Sequence, residues 1–246
     1  MTQLRSLAFL LYFAFVSVLM TVGLSPFLIA GPRPVIVWAM RSWAFLVLQG
    51  LKHIARIRME LRGTAHVPAG GALIAAKHLS MWETVAFHLL LPDPAMVMKS
   101  ELRDVPLYGL YALRAKMIIV DRDAGAKAVR TLLTEAKARL AEGRQIVIFP
   151  EGTRVKLGAP PDYKPGIAAL YSRLKIPCIP VALNSGVYWP RRGLTRKPGT
   201  IIVEFLEPIP PGLPRELFMA RLEEAIEGAT RRLLAEPLGS SQAPCG

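Results

Sequence analysis

Cysteine is nearly missing from this 246-residue chain: Cys178 lies in an apolar run, Cys245 lies in the tail, and there is no other. Two such residues make no disulfide framework, and a reducing compartment fits them. Nor do histidine and cysteine fall at metal-ligand spacing, since His53, His66 and His88 are scattered relative to His78. No metal is expected. Acids are also scarce, 18 Asp+Glu against 31 Lys+Arg, for a formal charge of +13. Such an excess favours a polyanionic neighbour: nucleic acid, an anionic bilayer or a phosphate-rich substrate. A hydrophobic fraction of 52% is more than a nucleic-acid binder of this size usually carries, so membrane lipids, and not nucleic acid, are the expected partner. Internal repeats and the Gly-x-Ser-x-Gly nucleophile motif are absent too, which counts against a serine hydrolase.

Residues 7–30 contain no charge. In helix they would reach about 36 Å, enough to cross a bilayer core of about 30 Å. Gly23 and the Ser25-Pro26 step predict a kink or an early end. A signal peptide is the alternative, with Arg5 ahead of the apolar run and Ala30-Gly31 as a small-residue site, but the run exceeds the usual h-region. A second apolar stretch, 35–50, follows the turn Gly31-Pro32-Arg33-Pro34 and carries Arg41 at its middle. A central charge costs about 2.5–3.5 kcal/mol on insertion scales, so this helix is expected to lie in the interface, with Trp38 and Trp43 at suitable depth. Lys52, Arg56, Arg58 and Arg62 follow as a basic segment for anionic headgroups. An ordinary buried helical hairpin is the other reading of 1–58.

From residue 59 the pattern changes to short apolar strands alternating with helical segments. Residues 59–61, 73–76, 96–98, 117–120, 145–149, 179–183 and 201–205 read as strands; 82–91, 124–142, 166–174 and 214–235 read as helices. The expected fold is α/β, a mixed, largely parallel sheet flanked by helices and preceded by an N-terminal apolar two-helix membrane motif. One domain over 59–236 and a disordered tail over 237–246 complete the division. In such sheets functional residues sit at the carboxyl ends of strands.

His78 falls at one such end. On a continuous helix Glu83 would stand about 140° around from it, so the two meet only if His78 lies in a turn and the helix begins near Ser80. Glu83 then serves as orienter for a histidine base. Ser80-Met81-Trp82-Glu83 is also a capping box, and the motif alone does not separate the two roles. At a second strand end, Gly152 allows a tight turn with close backbone approach, and Arg154 offers a planar charged fork suited to phosphate. Glu151 could accept from a substrate hydroxyl or pair with an arginine. Lys164, at the start of the helix after Tyr163, is unfavourable to the helix dipole unless an anion offsets it. The basic run Arg191-Arg192-Gly193-Leu194-Thr195-Arg196-Lys197 fits a leaflet, a phosphate-bearing cofactor or carrier, or a solvated loop.

Over residues 61–207 these blocks resemble the glycerolipid acyltransferase family, specifically the bacterial lysophosphatidic acid acyltransferases. His78-Leu79-Ser80-Met81-Trp82-Glu83 is similar to the family's His-x4-Asp block, with Glu83 in place of the usual Asp and Lys77 where Asn often precedes the histidine. Lys99-Ser100-Glu101-Leu102, with Pro106, Gly109 and Val120-Asp121-Arg122, resembles the second block. Phe149-Pro150-Glu151-Gly152-Thr153-Arg154 matches the third, Lys164-Pro165-Gly166 follows it, and Ile176-Pro177-Cys178-Ile179-Pro180-Val181 resembles the fourth. The resemblance implies acylation of the sn-2 hydroxyl of lysophosphatidate, giving phosphatidate for phospholipid synthesis. His78 and Glu83 would be catalytic, and Arg122, Glu151, Gly152, Thr153, Arg154 and Lys164 would bind substrate. It implies no cofactor beyond acyl-CoA or acyl-carrier protein as co-substrate, and a place at the bacterial inner membrane with the catalytic domain on the cytoplasmic side. Another lyso-lipid acceptor, such as a lyso-ornithine lipid, is the near alternative; a non-enzymatic membrane adaptor is the distant one.

Overall fold

The computed structural model describes residues 1–105 and 108–236, without the side chains of Leu28 and Ile29. The tail at 237–246 and Pro106 lie outside the described residues.

Seven strands form one sheet: β1 (Ile57–Arg62), β2 (Ala72–Ala76), β3 (Pro94–Lys99), β4 (Ile118–Val120), β5 (Gln145–Ile148), β6 (Cys178–Leu183) and β7 (Gly199–Phe205), in the order β1-β7-β6-β2-β5-β3-β4. Every neighbouring pair runs parallel except β6 with β7. The sheet is therefore mixed and largely parallel, as the strand and helix alternation predicts. It begins at Ile57, two residues ahead of the expected boundary.

All five residues of β2 are buried, as both-faces-covered parallel strands require. Alternate residues divide between two cores. Leu73, Ala75, Ile146 and Ile148 pack with Leu132 of α6 (Ala126–Ala141), Ile167 of α7 (Pro165–Leu174), and Phe218 and Leu222 of the last helix, Arg215–Ala235. Ile74, Ala76 and Val147 face Trp82 and Phe87 of α4 (Trp82–Leu90), together with Phe9, Ile36 and Val47 from the N-terminal helices. Two helices went unread in the sequence, α5 (Tyr108–Arg114) and α8 (Ser185–Tyr188), both too short to show a period; the Arg215–Ala235 helix is α9.

At the N-terminus α1 (Thr2–Gly23) stops at Leu24, and α2 (Ser25–Ala30) starts with proline in its first turn, so the Ser25-Pro26 step does break the helix. After the turn at Gly31, α3 (Arg33–Gly50) runs on into a single π turn. Two helical stretches, Thr2–Gly23 and Arg33–Ala55, are long and apolar enough to cross a membrane. They pack on each other through Tyr12, whose hydroxyl donates to Leu46 O at 3.0 Å, and Trp43, whose indole donates to Ser17 Oγ at 3.0 Å. A Cβ on Gly50 would sit 2.3 Å from the Tyr12 ring, so this crossing needs glycine.

Arg41 does not stand free. Its guanidinium donates to His88 O at 2.8 Å and Leu91 O at 2.9 Å, filling the orphan carbonyls at the end of α4. The charge in the middle of α3 is thereby a fastening to the sheet domain. Arg33 adds a two-pronged bond to Asp93 at 2.6 and 2.8 Å, and Arg114 donates to Gly31 O. At the other end, Arg196 N donates to Ser6 Oγ at 2.8 Å and Phe9 meets Trp189 edge-on at 5.6 Å. The opposite side of α1 leaves Leu4, Leu7, Leu11, Phe15, Val18 and Val22 exposed at helical spacing.

Candidate active site

The register places β2 between β5 and β6, with Ala75 beside Ile148 and Ala76 beside Val181. Three carboxyl ends therefore open side by side, and the loops that follow them carry His78, Glu151 and Ser185. Lys77 N still donates to Val181 O at 3.0 Å, so the chain leaves the sheet only at His78.

Between His78 and α4 the backbone turns back over the Glu83 carboxylate. Oε1 accepts from Leu79 N at 2.6 Å, Ser80 N at 2.7 Å and His78 Nδ1 at 3.2 Å; Oε2 accepts the Ser185 hydroxyl at 2.8 Å. Glu83 is fully buried, and an ionised carboxylate, being acceptor-only, matches a shell made wholly of donors. With Nδ1–H directed at Glu83, the network assigns the tautomer in which Nε2 of His78 carries the free lone pair. Phe149 stacks on the imidazole at 4.0 Å and 19°, which holds the ring's plane.

The pair thus meets by the predicted turn, and the capping contact and the imidazole contact coexist. The helix starts at Trp82 rather than Ser80, and the Ser80 hydroxyl accepts from Trp82 N at 3.0 Å. A single oxygen of Glu83 serves both the Ser80 N–H and the imidazole, because the other is taken by Ser185. That serine was missed in the sequence. Its signal was position alone, two residues past the end of β6.

In the loop after β5, Gly152 adopts φ +68°, a left-handed conformation that favours glycine, and its N–H donates to Phe149 O at 2.9 Å. A Cβ there would lie 3.5 Å from Arg122 Nη1 and 3.6 Å from Lys164 Cγ, so two cationic side chains converge on this bare backbone. Arg122 arrives from the turn after β4. Lys164 caps α7, anchored by its N–H to Pro150 O at 2.8 Å, and its ammonium pairs with Asp162. The anion that offsets Lys164 at the helix start is thus an aspartate of this chain. Thr153 is exposed and Arg154 half-buried, and neither side chain has a hydrogen bond among the described residues. Val155 N donates to His78 O at 2.9 Å, stitching this loop to the first.

Glu151 faces inward. It is 2% exposed, one oxygen accepts from Lys77 Nζ, and the other accepts the His78 backbone N–H at 3.2 Å. Among the described residues no arginine bonds this carboxylate, and the loop folds it inward against the first. The basic run also divides. Arg191 and Arg192 are exposed, whereas Arg196 is buried against the face of Trp189 at 4.5 Å.

A histidine with one nitrogen oriented and one free, beside a concentration of positive charge, can take a proton from a hydroxyl on an anionic molecule. Residues 58–184 match the family described as Acyltransferase. The sequence is 33% identical over 166 residues to the 1-acyl-sn-glycerol-3-phosphate acyltransferase of Pseudomonas aeruginosa, covering 68% of this chain and 65% of that protein. It is 28% identical over 168 residues to the mouse 1-acyl-sn-glycerol-3-phosphate acyltransferase alpha, covering 67% and 59%. The chain thus spans less than two thirds of either relative's length. The crystal structure of the 1-acyl-sn-glycerophosphate acyltransferase from Thermotoga maritima superposes with a TM-score of 0.80 over 96% of this chain and 99% of that one, at 20% identity, a likeness of fold.

Proposed function

Because the chain belongs to the acyltransferase family, we propose that it moves an acyl group from a thioester donor, acyl-CoA or acyl-carrier protein, to the sn-2 hydroxyl of lysophosphatidate. The observation that carries this reading is the His78–Glu83 pair with Nε2 free, next to the Arg122 guanidinium over Gly152. Nε2 takes the hydroxyl proton as the oxygen forms its bond to the thioester carbonyl carbon. Glu83 stabilises the imidazolium that results. The tetrahedral intermediate then collapses, the carbon–sulfur bond breaks, and the departing thiolate recovers the proton from His78. The acyl group passes directly, with no acyl-enzyme. Positioned base catalysis of this kind contributes about 10²–10⁴-fold in rate.

Arg122 and Lys164, with Arg154 and the Thr153 hydroxyl close by in sequence, hold the phosphate, and the missing side chain of Gly152 lets it approach the backbone. No cofactor takes part. The N-terminal hairpin enters the bacterial inner membrane from the cytoplasmic side, where thioester donors are found. The apolar stripe of α1 supports insertion, and the fastenings of Ser6 and Arg41 to the sheet domain support a hairpin held in one leaflet rather than drawn across it. The test is a labelled acyl-transfer assay on membranes offering lysophosphatidate or lyso-ornithine lipid with either donor. Phosphatidate from lysophosphatidate is the expected product. Diacyl product from neither acceptor overturns the reading, and fatty acid released without any acceptor makes the protein a hydrolase.

A further inference from the structure

Lys77 follows β2 directly and is 3% exposed. Its ammonium lies between two carboxylates, Glu151 in the loop after β5 and Glu227 of α9, the latter at 2.6 Å. Tyr163, on the segment before α7, donates its hydroxyl to the same Glu227 oxygen at 2.9 Å. Glu151 in turn accepts the His78 backbone N–H. A continuous set of polar contacts therefore runs from α9 and the approach to α7, through Lys77 and Glu151, to the backbone of His78.

Buried ion pairs often add little net stability over apolar side chains of the same volume, so the presence of this one is weak evidence of a stability role. Two carboxylates against one ammonium leave an excess of negative charge, and Glu223 of α9 adds to it near Tyr163. Burial raises the Glu151 carboxyl above its ordinary range, opposed by its bond to Lys77. Burial, then the charge of Glu227, pushes the Tyr163 phenol far upward, which keeps it a donor.

We propose that Lys77, Glu227 and Tyr163 are positioning residues for the His78 base, which through Glu151 fix the His78 backbone and set the buried charge beside it, coupling α9 to the rate of acyl transfer. The proposal rests on His78 being the base. It is tested with Lys77→Met, Glu227→Gln and the double variant as full chains in detergent, with His78→Ala as control. The readouts are kcat, KM and the pH dependence of kcat/KM.

Lys77→Met leaves Glu151 and Glu227 facing each other without a cation, and is expected to lower kcat about ten- to hundredfold with KM within about twofold. Glu227→Gln keeps the hydrogen bonds and removes one charge. It is expected to cost about threefold in kcat and to move the acidic limb to lower pH, because the imidazolium loses a stabilising anion. The double variant is expected to be faster than Lys77→Met, because the charge left uncompensated by the lysine is removed with Glu227; the moved acidic limb of Glu227→Gln is the readout that a merely structural role would not produce. Wild-type kcat in Lys77→Met, or single losses that multiply in the double variant, overturn the proposal. Should Lys77→Met not fold, Glu227→Gln decides, and an unmoved kcat and acidic limb count against the coupling. An active His78→Ala would instead refute the base assignment itself.

Discussion

His78 and Glu83 meet only because five residues, 77–81, separate β2 from α4, and the turn they make is held by the carboxylate it encloses. Glutamate carries one methylene more than the aspartate usual in this block, and the extra reach is used: Oε1 lies under the turn while Oε2 extends to Ser185. Ser185→Ala removes one charge-assisted bond, and about a tenfold fall in kcat with little change in KM is expected from steady-state kinetics. Arg122→Ala acts on a different parameter. It should raise KM for lysophosphatidate about ten- to hundredfold and spare kcat, whereas a fall in kcat alone would remove Arg122 from the phosphate site. The His78 and Glu83 turn and the Gly152 loop were legible in the sequence because each lies within a short local motif. Ser185 and the burial of Glu151 were not, since their contacts join residues 102 and 74 positions apart.

Among the elements, β2, β5 and β6 were legible as short apolar runs, and their burial on both faces explains why those runs barely alternate; β1 instead alternates, with Arg58, Glu60 and Arg62 between its apolar residues. The reversal of β7 against β6 was not legible, because it depends on pairing between distant segments. The role of Arg41 was hidden for the same reason: only the fold brings α3 to the end of α4. Beside that contact, burial and the Arg41 charge lower the His88 imidazole from 6.5 to about 4. The folded form then binds fewer protons than the unfolded chain, so His88 contributes stability above the unfolded value that is lost as pH falls from about 6.5 towards 4. Thermal unfolding in detergent should show a loss of about 3 kcal/mol over that window, flattened by His88→Leu. A window unchanged in the variant would assign the acid sensitivity elsewhere. Where α1 crosses α3, Gly50→Val forces a methyl into the Tyr12 ring and should destabilise the hairpin by about 1–3 kcal/mol, read as a lower unfolding temperature.

For the whole molecule, the +13 charge and the exposed stripe on α1 suit the same proposed neighbour, an anionic bilayer. Replacing Leu7, Leu11 and Phe15 by serine should shift the protein from sedimenting with anionic vesicles to the supernatant, while activity on detergent-dispersed substrate persists. Retained sedimentation would move the membrane contact off this face. Proximity to a bilayer has chemical value here only if the sheet domain performs the transfer, and in the proposed mechanism that depends on one nitrogen of His78. The most direct measurement is the initial rate of phosphatidate formation from lysophosphatidate by wild type and by His78→Ala, in matched detergent preparations with equal folded protein. A fall of about 10²–10⁴-fold or more in the variant is predicted. A variant that keeps the wild-type rate would contradict the account.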